Sequence, residues 1–110
     1  MIEDTPGEVA ALLPEPLTNV DIVKHESEEL HQSVWATINE KNALVVEGLD
    51  YGTLVEERLF CDDFEYSVTI APEWKDTVLL LLLQEHFKDF PPIERWLKDK
   101  GIPHGKFTWY

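Results

Sequence analysis

Six consecutive apolar residues, Val78 to Leu83, constrain this chain more than any other feature. They follow Ala71-Pro72-Glu73-Trp74-Lys75-Asp76. Pro72 suits a first helical position, and the acidic residues sit where the helix dipole favours negative charge. The pattern predicts a main helix from Pro72 to about Phe87. A membrane span needs about 20 apolar residues, so this run is too short to cross a bilayer. A surface helix carries one apolar stripe, whereas a helix apolar on every side needs cover on more than one. A sheet supplies one cover. The other must come from the C-terminal helix, an N-terminal helix or a second copy of the chain.

The chain has 110 residues. That is the size of one domain and enough to bury a core without staples. The expected organisation is a single domain over 1–110, with 1–18 as an attached N-terminal helix and proline-containing linker. Acidic residues number 22 and basic residues 9, a net charge of −13. Nucleic-acid binding and docking on anionic lipid both need basic surfaces and are disfavoured. A basic protein partner fits this charge. The single cysteine, Cys61, rules out an intramolecular disulfide. The first residues are acidic and lack the basic and apolar regions of a signal peptide, so the expectation is a cytoplasmic protein.

Thr5 to Leu13 has capping-box spacing between Thr5 and Glu8 and reads as a short helix stopped by Pro14 and Pro16. Three strands follow: Asn19 to His25, Leu30 to Asn39, and Ala43 to Glu47, the last ended by Gly48. They read as an antiparallel meander. A short helix is expected to start at Asp50 or Gly52, with Leu54, Val55, Arg58 and Leu59 at helical spacing. Phe64 to Ile70 is the cleanest strand, with Phe64, Tyr66, Val68 and Ile70 on one face and Glu65, Ser67 and Thr69 on the other. After the main helix, Lys88 to Pro92 reads as a break and Pro92 to Lys100 as a helix capped by Gly101. Lys106 to Tyr110 is a closing strand. The fold class is α+β, an antiparallel sheet of four to five strands with two or three helices mainly on one face.

The stretch from Leu44 to Ile102 resembles a family of small acidic bacterial proteins without an assigned function. The resemblance rests on Leu44-Val45-Val46-Glu47-Gly48, Asp50-Tyr51-Gly52, Phe64 to Ile70, Lys75-Asp76 before the leucines, and Lys100-Gly101-Ile102-Pro103. It covers about half of the chain and excludes the N-terminal third. Its motifs imply a shared fold and carry over no catalytic residues.

No P-loop, dinucleotide fingerprint, nucleophile elbow or zinc-ligand spacing is present, so no cofactor, metal or catalytic residue is assigned. His25 and His31 would face each other across the first hairpin. Cys61 lacks an activating motif. The candidate interaction residues are Trp35, Asp62, Asp63, Glu65, Trp109 and Tyr110. Trp35 lies opposite Val34, Ala36 and Ile38 on its strand and needs cover from a helix or a partner, while Trp96 and Phe107 read as core. Three readings stay open. The first is a non-enzymatic interaction module that binds a basic partner, in the manner of an immunity protein or inhibitor. The second is a homo-oligomer, such as a homodimer. The third is a small metal-dependent hydrolase using Asp62, Asp63 and Glu65.

Overall fold

The computed structural model describes residues 2–4, 12–59 and 63–108. The expected helix at Thr5 to Leu13 therefore lies largely outside the described residues, as do Cys61, Asp62, Trp109 and Tyr110. The chain forms two compact units, Leu17–Leu79 and Met1–Pro16 with Leu80–Tyr110.

The first unit is built on a four-stranded antiparallel sheet in the order β2-β3-β4-β5. Its strands are β2 (Asn19–Glu26), β3 (His31–Ile38), β4 (Leu44–Tyr51) and β5 (Asp63–Ile70). With three helices among the described residues, the fold is α+β, and the meander runs as its alternation predicts. Helix α1 (Thr53–Leu59) packs against β4 and β5 and buries Val55. Ala43 is the other buried apolar residue among those described.

Two turns set the register. The Asn39 side chain accepts hydrogen bonds from the Lys41 and Ala43 amides, at 3.0 Å each. Asn42 takes the left-handed backbone, φ 64°, which asparagine tolerates better than most residues. In the first hairpin, Ser27 and Leu30 are joined by bonds of 2.9 to 3.2 Å. This turn pairs His31 with Glu26 and His25 with Gln32. The two histidines therefore lie on opposite faces and do not meet. From Val23 to Glu26 the register is one residue away from the one that would pair the two histidines, which reverses the faces of that segment, and the irregularity between Asp21 and Val23 restores them for Asn19 to Asp21.

Strand β4 does not end at Gly48. It runs three residues further, because Gly48 pairs with Tyr66 and the Tyr66 ring lies over it. The glycine here makes room for an aromatic ring instead of stopping a strand. A glycine with positive φ stands instead at Gly52, φ 126°, where the chain turns into α1.

In the second unit, β1 (Ile2–Asp4) pairs antiparallel with β6 (Lys106–Thr108). Helix α3 (Phe90–Asp99) starts two residues before the expected position. Pro91 and Pro92 belong to its first turn, where no intrahelical N–H partner is required. Lys88 and Asp89 make the actual break. At its other end, Gly101 takes φ 71°. The Gly101 amide donates to Lys98 O at 3.1 Å and the Ile102 amide to Leu97 O at 3.0 Å. This is the expected left-handed cap in its two-bond form. Trp96 meets Phe87 edge to face at 6.1 Å. It is 36% exposed, more open than a core position.

Helix α2 (Pro72–His86) begins in the first unit and ends in the second. It has no buried residue, and Leu79, Leu80, Leu81 and Leu82 are each more than half exposed. The cover that its composition calls for is not supplied by the described residues.

Candidate interaction surface

Strand alternation divides the sheet of the first unit into two chemically different faces. One carries Val20, Val23, Val34, Ala36, Ile38, Leu44, Val46, Phe64, Tyr66, Val68 and Ile70. The other carries the carboxylates of Asp21, Glu26, Glu47, Asp63 and Glu65, with Lys24 as its cation.

Trp35 sits in the middle of the acidic face. The register aligns Asp21, Trp35, Glu47 and Ser67 in one row across all four strands. The neighbouring row runs Lys24, Ser33, Leu49 and Glu65. The half-buried indole donates its N–H to Glu47 Oε2 at 3.0 Å. A single bond therefore satisfies the one polar atom of the indole and orients the carboxylate. The second oxygen of Glu47 remains for another donor. Trp35, Glu47, Gly48, Leu49, Glu65, Tyr66 and Ser67 line an open hollow of about 480 Å³.

This hollow brings together two of the six candidate residues, Trp35 and Glu65. Asp63 lies on the same face at the far end of β5, opposite Tyr51. Asp62, Trp109 and Tyr110 fall outside the described residues, so the Asp62-Asp63-Glu65 triplet is described only in part. Among the described residues, no group of three or more His, Cys, Asp or Glu side chains is placed to hold a metal ion.

Glu47 is the member that sequence reasoning left out. Its signal was present: it is the one charged residue of Ala43 to Glu47, at a position whose parity matches Trp35 once the Asn39–Ala43 turn is closed. Elsewhere on this face His31 stacks on Tyr51, with ring centres 4.5 Å apart and planes 4° from parallel. Its Nδ1 is buried without a hydrogen-bond partner.

No protein-family model matches the chain, and neither a curated protein nor a solved structure matches it. The surface must therefore be read from its own chemistry. An aromatic ring beside carboxylates, in an open hollow on an acidic face, suits a cationic group. The carboxylates supply charge and acceptors, and the indole supplies a ring face for a guanidinium or ammonium. The second unit offers a contrasting hollow of about 400 Å³ beside Phe90, Arg95, Lys98 and Lys106. There the one carboxylate, Glu94, is already bridged to Lys98 and Lys106 at 3.3 Å each. Among the described residues, no helix is long and apolar enough to cross a membrane.

Proposed function

We propose that this chain is a non-enzymatic protein-interaction module that binds a basic partner, as an immunity protein or inhibitor does. The observation that carries this reading is the meeting of Trp35, Glu47 and Glu65 in one open hollow on the acidic sheet face. A net charge of −13 would steer a basic partner toward such a surface and make the encounter salt-sensitive.

The test is a fluorescence titration with an oligo-arginine peptide at low and high salt, with Trp35→Phe as the baseline for the remaining tryptophans. The expected result is a saturable change at low salt that weakens steeply as salt rises. The doubly substituted Glu47→Gln, Glu65→Gln protein should lose most of it. An identical response from the Trp35→Phe protein, or none from either, overturns the reading.

The exposed leucines of α2 favour a second, compatible reading, a homo-oligomer. Contiguous exposed apolar surface of this kind marks interfaces more often than free surface. Light scattering on the purified chain decides it.

A further inference from the structure

We infer that the β5 edge accepts an extended, amphipathic basic segment of a partner protein as a fifth strand, with its basic side chains laid over Glu65 and Glu47. The inference rests on the basic-partner reading above and specifies how that partner is held.

The sheet has two edges, β2 and β5, and they are built differently. Strand β2 carries an irregularity between Asp21 and Val23 and a lysine at Lys24. Bulges and lysines are devices that discourage another strand from pairing. Strand β5 has neither. It pairs with β4 in unbroken register from Asp63 to Ile70 and contains no proline, no lysine and no bulge. Phe64, Glu65, Ser67, Val68 and Thr69 are all exposed along it. An edge of this kind presents a row of main-chain donors and acceptors that an incoming strand can satisfy.

Alternation then dictates the partner's side chains. On one face the new strand would lie beside Phe64 and Val68, which are 44% and 60% exposed. On the other it would lie beside Glu65 and Ser67. The fitting segment alternates apolar residues with basic ones. Strands lie about 4.8 Å apart, so Glu65 is one spacing from the new strand and Glu47 two, roughly 10 Å. An arginine reaching inward and a glutamate reaching outward span that distance. The planar guanidinium fork suits carboxylate acceptors better than an ammonium does. Trp35 lies one strand further in and would report occupancy through its hydrogen bond to Glu47. A second copy of this chain is the poorer occupant, because it would bring together two bodies that each carry a charge of −13, which repel.

The test uses the full chain and synthetic eight-residue peptides alternating arginine with valine. One peptide is unmodified, and two are N-methylated on alternate residues, one for each edge of the strand. Two signals are followed, Trp35 fluorescence and hydrogen exchange of the Asp63 to Ile70 amides. The expected result is binding by the unmodified peptide with slowed exchange along β5. One methylated peptide should bind roughly tenfold weaker or worse, while the other keeps its affinity. Glu65→Gln and Glu47→Gln should each weaken binding several-fold without altering β5 exchange in the free protein. A Trp35 response with unchanged β5 exchange and no effect of methylation overturns strand addition and leaves the basic-partner reading standing. Silence in both signals at low salt overturns both. Protection of β5 that rises with protein concentration in the absence of peptide assigns the edge to a second copy and overturns the inference.

Discussion

A Cβ built on Gly48 would collide with Cε2 of the Tyr66 ring. No rotamer adjustment of the glycine position avoids this contact, and the ring is held. Its hydroxyl donates to Asp50 Oδ1 at 2.9 Å on the same face. Gly48→Ala should therefore destabilise the protein by about 1–3 kcal/mol, the range for overpacking. In a Tyr66→Ala background the same change should cost much less, because the ring it strikes is gone. Urea unfolding of the four proteins measures this coupling. Tyr66 also titrates abnormally. Partial burial raises its pKa above the ordinary 10.0, and the Asp50 hydrogen bond and charge add to this, while a hydrogen bond with Gln32 works the other way. A raised folded value means that the fold prefers the neutral phenol. That stability is fully present below the unfolded value near 10 and is lost as pH rises through the higher folded one. An absorbance titration should find a tyrosine step above the ordinary value, and Tyr66→Phe should remove that step.

Helix α3 shows how an element forms where its residues look unfavourable. A helix leaves four N–H groups unpaired at its start. Here Pro91 and Pro92 carry no N–H at two of those positions, so within the helix the demand falls on Phe90. Asp89 answers with Oδ1 accepting from the Phe90 amide at 2.7 Å. Asp89→Ala should cost about 1 kcal/mol, the usual worth of such a cap, read as a lower unfolding midpoint at unchanged slope. Asp89→Asn should recover most of it, since an asparagine oxygen accepts the same bond. Glu94, further along α3, is partly desolvated. The hydrogen bonds from Lys106 and Lys98 outweigh that and hold its carboxyl below the ordinary range.

At the scale of the whole molecule the exposed leucines of α2 and the net charge pull in opposite directions. Leu79 to Leu82 are 51% to 65% exposed, which favours association. The charge of −13 opposes it, most strongly at low salt, where screening is weak. Association through α2 should therefore strengthen as salt is added, the reverse of the dependence expected for a basic peptide on the acidic face. Light scattering across a salt series separates the two. Leu80→Glu should give a folded monomer under all conditions if α2 is the interface. An unchanged dimer after that substitution places the interface elsewhere.

Residues 44 to 86 were the most legible part of the chain. Alternation in Phe64 to Ile70 and the proline ahead of the leucine run each state a local preference that no distant contact reverses. Gly48 was misread because a glycine inside a strand and a glycine ending one look alike until the ring opposite is known. Helix α3 starts at Phe90 and not at Pro92 because a proline pair breaks one helix and opens the next equally well. Trp35 and Glu65 were legible as candidates, but their hollow was not. Residue types and alternation determined that one sheet face would be apolar and the other acidic. Only the tertiary structure decided that Glu47 stands beside Trp35 and next to the row of Glu65. That depends on cross-strand register, which the Asn39–Ala43 turn closes. A shift of one residue would have carried Glu47 to the apolar face.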